Sequence, residues 1–158
     1  MLIYFISIFH FPKETQMDKN SFFWKAQTKG VPACSAAKTL GSNFIKIDPD
    51  AGTVQLEFMG KNEFTNPVGN VQGGFLAAML DETMGPALAA TLSEGEFAPA
   101  IDLNIQFINP AAVGKIEAFG RIDKKGKEVC YLSGELWQNG KVVAKSTAAA
   151  IIRKIIIG

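Results

Sequence analysis

The sequence predicts an α+β protein in which a curved, mainly antiparallel sheet wraps around one long central helix. The segment 75–92 has the length and the strong helix formers of a helix. Because it is apolar on nearly every side, it needs more cover than a flat sheet gives. Four strand-like segments follow it with only short turns between them, and such turns join antiparallel neighbours.

Alternating apolar and polar residues predict six strands, two before the helix and four after it. Their expected ranges are 41–48, 53–59, 100–109, 115–123, 127–138 and 141–152. The turn 48–52 combines Pro49 with Gly52, and Asn139-Gly140 is a strong hairpin signal. In the strand 100–109, Ile101 and Leu103 begin an alternation typical of a half-buried strand.

Gly85-Pro86 interrupts the long helical segment, and proline removes one backbone hydrogen bond. We therefore expect a kink or the end of the helix near Gly85. A second, short helix is expected within 18–27, with Asp18 or Asn20 as its cap.

Residues 1–16 form an apolar N-terminal extension that is too short to span a bilayer, which takes about 20 residues. The extension also lacks the positively charged start and the cleavage site of a signal peptide. Our hypothesis is that translation starts at Met17 and that 1–16 is a mis-assigned start. Residues 17–38 would then form an N-terminal helix and loop, and 39–154 the main domain.

The composition argues against several classes of function. A formal net charge of +1 provides no basic surface for nucleic acid. Cys34 and Cys130 lie far apart, and the chain has 1 histidine, so no usual zinc site is expected. We predict a cytoplasmic protein with free thiols, no metal and no cofactor.

The glycine turn before the helix admits two interpretations. Gly73 and Gly74 stand where a helix begins, so their N–H groups can bind a developing oxyanion or simply form a tight packed turn. Asn66 precedes Pro67 and fits either an Asx turn or a role in holding water.

Asp81 follows about two turns into the apolar helix, where an ionised carboxylate is costly unless it is partnered. It is therefore either a structural hydrogen-bonding group or a functional one. The neighbouring Glu82 points to another side of the helix and is interpreted as a solvated or structural charge.

The spacing Asn66-x-x-Gly69-x-x-Gln72-Gly73-Gly74, followed by a helix with Asp81, resembles the hotdog-fold acyl-CoA thioesterases of the PaaI-like (4-hydroxybenzoyl-CoA thioesterase) family. The segment 100–110, which ends in Asn-Pro-Ala, is similar to the strand that follows the helix in this family. The likeness covers about 40–153. Gln72 stands where the family usually has histidine, and Ala100 lies near a position where related enzymes often carry serine or threonine.

The resemblance implies hydrolysis of an acyl-CoA thioester to a free acid and CoA. Asp81 would activate water or act as the nucleophile, Gln72 and the Gly73 N–H would polarise the carbonyl, and Asn66 would orient the water. The apolar residues expected to contact the substrate, together with Gly74, are Phe75, Met79 and Phe107.

The resemblance also implies a homodimer, or a dimer of dimers, in which Asn66, Gln72 and Gly73 of one chain face Asp81 of the other. Two alternatives are a non-catalytic acyl-CoA-binding protein and a 3-hydroxyacyl dehydratase, the latter resting on His10. The CoA phosphates need cations, for which the candidates are Arg121, Lys124, Lys125 and Lys127.

Overall fold

The computed structural model describes residues 17–28 and 34–155. A six-stranded sheet has the order β1-β2-β5-β6-β7-β4, and all its neighbouring strands are antiparallel. These strands are β1 (Asn43–Asp48), β2 (Thr53–Gly60), β4 (Ala100–Phe107), β5 (Gly114–Lys125), β6 (Val129–Gln138) and β7 (Lys141–Ile151). The short strands β3 (Glu96–Phe97) and β8 (Arg153–Lys154) pair separately. The helices are α1 (Phe22–Thr28), α2 (Ser35–Leu40) and α3 (Gly73–Ala89), with a 3-10 turn at Asn62–Phe64.

The predicted fold class and its six strands are confirmed. Helix α3 contacts β2, β4, β5, β6 and β7, so the sheet surrounds much of the helix. The β6–β7 turn has positive φ at Asn139 (52°) and Gly140 (72°), which is why the Asn-Gly pair occurs there. Gly52 in the first hairpin also has a positive φ, of 64°.

Helix α3 continues through Gly85 and Pro86, so of the two predicted alternatives, a kink or a helix end near Gly85, the helix end is wrong. Proline removes only its own N–H bond, and the next turn is held by packing instead. Ala87 and Leu88 are buried beyond the proline, and the N–H of Ala90 donates to the Pro86 carbonyl at 3.0 Å.

Burial follows one stripe of α3 rather than its whole circumference, although the helix is apolar nearly all round. The buried residues recur at helical spacing: Leu76, Met79, Leu80, Thr83, Met84, Ala87 and Leu88. The opposite side is exposed in the single chain and carries Gly74, Ala78, Asp81 and Gly85. The expectation of burial on most sides is therefore wrong for one chain alone.

Two glycines let α3 approach the sheet closely. Gly120 of β5 and Gly134 of β6 are direct partners in the register. A Cβ on Gly120 would lie 2.7 Å from the Thr83 carbonyl oxygen, and one on Gly134 would lie 2.9 Å from Cγ of Met84. The helix thus packs onto a flat place in the sheet where side chains are missing.

Strand β4 lies at the edge of the sheet and is paired only with β7. Its predicted alternation is present, but its apolar side chains are not half-buried: Ile101 is 58% exposed and Phe107 is 56% exposed. Only Ile105 packs partly against the core. The alternation predicted a strand correctly, but the other described residues leave most of its apolar side chains exposed.

The N-terminal segment differs in detail from its prediction. Helix α1 begins at Phe22, and Asp18 accepts a hydrogen bond from the N–H of Glu94 at 2.8 Å instead of capping the helix. Ser21 stands before the helix, with its hydroxyl 3.5 Å from the Trp24 N–H. Helix α2 was not predicted. The apolar extension 1–16 lies outside the described residues, and the domain boundaries stay predictions.

The close approach of α3 predicts different costs for the two glycines. Gly120→Ala should lower the free energy of unfolding by about 1–3 kcal/mol, because the new methyl group meets a backbone oxygen that cannot move alone. Gly134→Ala should cost less, because the flexible Met84 side chain can rotate away. Urea denaturation of both variants measures the difference, and equal costs would contradict this packing.

Candidate active site

The turn before α3 is built around Asn66. Its side-chain Oδ1 accepts hydrogen bonds from the N–H groups of Val68 and Asn70, each at 3.1 Å. Its backbone N–H donates to the Asn70 carbonyl at 2.8 Å, and Gly69 closes the turn with φ at +83°. The side-chain oxygen of Asn66 therefore forms an Asx turn, whereas its side-chain amide nitrogen takes no part in these hydrogen bonds.

The turn is anchored to the body of the protein. The Val71 N–H donates to the Ala111 carbonyl at 2.7 Å, and the Gln72 N–H donates to the Phe64 carbonyl at 2.8 Å. The Phe64 ring stacks on Phe75 with centroids 4.1 Å apart. These contacts hold the start of α3 in one orientation. Phe64 and Ala111 were not predicted, because the sequence gives no sign of such long-range backbone bonds.

Gln72 caps α3. Its Oε1 accepts the Gly74 N–H at 3.1 Å, so this N–H is already occupied, contrary to the expectation that both glycine N–H groups are free. The Gly73 N–H makes no hydrogen bond with the described residues. The Phe107 ring lies against Gly73, where an added Cβ would be 3.0 Å from it. The start of α3 therefore combines a Gly73 N–H without a partner among the described residues, the exposed Gln72 side chain and the Phe107 ring.

Asp81 is exposed on the uncovered side of α3. The surrounding protein nevertheless removes part of its hydration, and this desolvation raises the pKa of the Asp81 carboxyl. The half-buried Glu82 has a raised pKa too, first through desolvation and then through the charge of Asp81. Glu82 is thus less solvated than the sequence suggested. A raised pKa makes Asp81 a stronger base at neutral pH.

Gly74 and Asp81 share a face of α3, because seven residues correspond to nearly two full turns. At 1.5 Å per residue they lie about 10.5 Å apart along the axis. The turn and the Asp81 carboxylate of one chain therefore lie on the same face of α3, but they are too far apart to contact each other.

The residues expected to contact substrate occupy different surroundings. Met79 is fully buried, at 0% exposure, so its position gives no support for a role in substrate binding. Phe75 is partly buried against Phe64. Phe107 is exposed and lies beside the glycine turn. Ala100 is the exposed first residue of β4.

The cations proposed for CoA phosphates are partly engaged elsewhere. Arg121 donates to Asp123 at 2.8 Å and to Ser133 at 2.9 Å. Lys125 donates to the Thr91 carbonyl at 2.7 Å. Across 17–28 and 34–155, no group of three His, Cys, Asp or Glu side chains is arranged to hold a metal ion.

Residues 68–145 match the family described as the thioesterase superfamily. This match begins within the turn, just after Asn66, and spans α3, β4, β5, β6 and the start of β7. The chain belongs to the thioesterase superfamily, as the resemblance predicted, and its fold is the hotdog fold.

Individual relatives agree. The chain is 31% identical over 124 residues to acyl-coenzyme A thioesterase 13 of Homo sapiens, covering 77% of this chain and 85% of the relative. A phenylacetic acid degradation-related protein from Ralstonia eutropha JMP134 is 36% identical, with a TM-score of 0.80 over 82% of this chain and 98% of that one. The PaaI protein of E. coli, at 22% identity and a TM-score of 0.74 over 85% and 96% of the two chains, shares the fold.

The raised pKa of Asp81 predicts that this carboxyl opposes folding when it is ionised. A carboxyl whose pKa is raised on folding stabilises the protein below its unfolded value of 3.8, and this contribution is lost as the pH rises through the folded value. Asp81→Asn should therefore raise the free energy of unfolding at neutral pH and leave it unchanged in strong acid. Urea denaturation at the two pH values measures this.

Glu135 provides a control of opposite sign. A hydrogen bond from Lys145 lowers the pKa of the Glu135 carboxyl. Ionised Glu135 therefore stabilises the fold above its unfolded pKa, and Glu135→Gln should be destabilising at neutral pH. If Asp81→Asn also destabilises there, desolvation does not govern Asp81.

Proposed function

We propose that this protein hydrolyses acyl-CoA thioesters to a free acid and CoA. The observation that carries the proposal is the pairing of a capped glycine turn with Asp81, a carboxyl of raised pKa, on one exposed face of α3. Membership of the thioesterase superfamily supports it, as do relatives named acyl-coenzyme A thioesterase 13. The chemistry needs no cofactor.

The turn would act on the thioester carbonyl. The Gly73 N–H lies at the positive end of the α3 dipole and is free to donate to the developing oxyanion. The Gln72 amide keeps its N–H donors while its oxygen caps Gly74. Because glutamine cannot transfer a proton, the proton chemistry falls to Asp81.

We consider two roles for Asp81. As a general base it accepts a proton from water, whose oxygen adds to the carbonyl carbon before the C–S bond breaks and CoA leaves as its thiolate. As a nucleophile its carboxylate oxygen attacks the carbonyl carbon and displaces CoA as its thiolate, which forms a mixed anhydride that water then hydrolyses. In a single turnover in ¹⁸O-water, label on Asp81 identifies the nucleophilic role, because it arises when water attacks the aspartyl carbonyl of the anhydride; attack on the acyl carbonyl labels the product acid, as the general-base route does. Asn66 would position the water through its amide nitrogen.

A complete site calls for two chains. Along α3, about 10.5 Å separates Asp81 from the turn of its own chain. The edge strand β4 leaves backbone groups unpaired on one side and apolar side chains exposed, and a second chain packed at this edge would pair the first and cover the second. We therefore propose a homodimer joined through β4, with Asn66, Gln72 and Gly73 of one chain facing Asp81 of the other. Further pairing into a dimer of dimers stays a prediction.

A non-catalytic acyl-CoA binder is the second candidate, since Gln72 replaces the family's histidine and Ala100 offers no hydroxyl. The dehydratase alternative depends on His10, which lies outside the described residues. In the described part, none of the helices is both long and apolar enough to cross a bilayer. The cytoplasm is kept as the proposed location because Cys34 and Cys130 are free thiols.

Neighbouring carboxylates on α3 give a matched test of the mechanism. Asp81→Asn should lower kcat/KM for acyl-CoA by about 10²–10⁴-fold, the usual contribution of a general base. Glu82→Gln should change it by less than about tenfold, because Glu82 takes no part in proton transfer. Thiol release from a panel of acyl-CoA substrates is the measurement. Equal rates of hydrolysis by Asp81→Asn and wild type would contradict the proposed mechanism. Binding of acyl-CoA without turnover by the wild type would favour the non-catalytic binder.

Mixing two inactive variants tests the shared site. Gln72→Glu keeps an oxygen to cap Gly74 but removes the amide donors, so activity should fall while the helix stays capped. When Gln72→Glu and Asp81→Asn chains are refolded together, half of the dimers should be mixed, each with one intact site. About one quarter of wild-type activity should then return.

Sites contained in single chains would return no activity on mixing. The control is the same mixture combined without refolding, in which the chains do not exchange. Circular dichroism of each variant alone checks that both fold.

A further inference from the structure

Four segments that lie far apart in the sequence meet at one corner of the molecule, near the C-terminal end of α3. The Asp18 side chain accepts the Glu94 N–H at 2.8 Å, which ties the N-terminal segment to the loop after α3. Strand β8 pairs with β3 in the same loop. The turn between β5 and β6 joins them, because the Ile152 N–H donates to the Glu128 carbonyl at 2.7 Å. We call this place the basic corner and define it by the segments 17–25, 93–97, 124–128 and 153–155.

The basic corner is more positive than the rest of the protein. It holds seven cations and four carboxylates and therefore a net charge of +3, whereas the formal net charge of the whole chain is +1. Asp18 and Glu96 accept hydrogen bonds from backbone N–H groups. Glu94 forms an ion pair with Lys25 at 2.6 Å. Five of the cations are exposed and form no ion pair with the described residues: Lys19, Lys124, Lys127, Arg153 and Lys154.

Large apolar side chains are exposed among these charges. Phe22 is 61% exposed and Phe97 is 50% exposed, and both line one cavity beside α3, so they are neighbours. Met17 is 40% exposed and directly precedes Asp18. Ile155 is 41% exposed, and its N–H donates to the Gly95 carbonyl at 2.7 Å. Apolar side chains that gather on a surface in this way mark a site of interaction.

The combination of unpaired cations with exposed apolar side chains fits the surface of an anionic lipid bilayer. Apolar side chains enter the boundary between headgroups and acyl chains, while cations remain with the anionic headgroups. A second copy of this chain is a poorer partner for the same surface, because two basic corners in contact would bring like charges together. The charge of the corner therefore favours lipid over self-association.

We propose that the basic corner docks on the surface of an anionic lipid bilayer. The contact is peripheral and needs no membrane-spanning helix. It rests on described residues alone, so it holds for a chain that starts at Met1 and for one that starts at Met17. The docking is independent of the thioesterase function proposed above, because none of the residues assigned to that chemistry belongs to the corner.

Sedimentation of the full chain with lipid vesicles tests the proposal. Vesicles of pure phosphatidylcholine are compared with vesicles of equal parts phosphatidylcholine and phosphatidylserine, at low and at high salt. The wild type should bind the anionic vesicles at least about tenfold more tightly than the neutral ones. High salt should release it, because salt screens the attraction between the cations and the headgroups.

Variants of the corner separate its two contributions. Arg153→Gln combined with Lys154→Gln should weaken binding to anionic vesicles by about 25-fold, since each cation near the surface contributes a factor of about five. Phe97→Ser should weaken it by about tenfold, because the phenyl ring no longer enters the apolar boundary. Circular dichroism verifies folding, and Phe22→Ser replaces Phe97→Ser should the latter not fold.

Matched controls change the same types of residue outside the corner. Lys46→Gln combined with Lys141→Gln removes two exposed cations, and Phe119→Ser removes a phenylalanine that is 41% exposed on β5. Both controls should bind anionic vesicles within about twofold of the wild type, because charges distant from the headgroups are screened.

Three outcomes would overturn the proposal. The first is a wild type that does not bind anionic vesicles, or equal losses of binding in the corner variants and the controls. The second is binding that the corner variants leave intact, as expected when the apolar extension 1–16 alone contacts lipid. The third comes from size-exclusion chromatography: a folded Phe97→Ser protein that has lost the oligomeric state of the wild type would identify the corner as a contact between chains.

Discussion

The packing of α3 onto the paired glycines Gly120 and Gly134 is the contact on which the rest of the structure depends. Without side chains at that place, the sheet accepts the helix backbone at van der Waals distance and buries its Leu- and Met-rich stripe. The helix can be covered in this way on one side only. The opposite side, with Gly74 and Asp81, is left exposed in the single chain, and it carries the residues of the proposed site.

The fold could be predicted from the sequence wherever a local pattern has a local cause. The alternation of apolar and polar residues predicted the strands. Asn139-Gly140 predicted a hairpin, because few other residues adopt the positive φ values that its turn requires. Burial was less predictable. The alternation of β4 looks the same whether its apolar side meets the same chain or another. A helix that is apolar on nearly every side likewise does not reveal which side faces the core, where Met79 is buried and Asp81 is exposed.

The residue types of the candidate site could be predicted from the sequence, whereas most of their hydrogen bonds could not. A polar glycine turn followed by a helix carboxylate is visible in the sequence. Whether the side-chain oxygen of Gln72 accepts a hydrogen bond from the Gly74 N–H depends on the rotamer of Gln72, which the spacing of residues in the sequence does not determine. The cavity of about 500 Å³ between α1, α2 and α3 could not be predicted, because its walls come from segments far apart in the chain.

The uncovered edge of β4 also links the energetics of assembly to those of folding. Ile101 and Phe107 face water in the single chain, and in the proposed homodimer a second chain would bury part of their apolar surface. Helix α3 contacts β4, so order in the candidate site would grow with the proposed association. Protein concentration would then be a thermodynamic variable of the proposed dimer, because dilution favours separate chains by mass action.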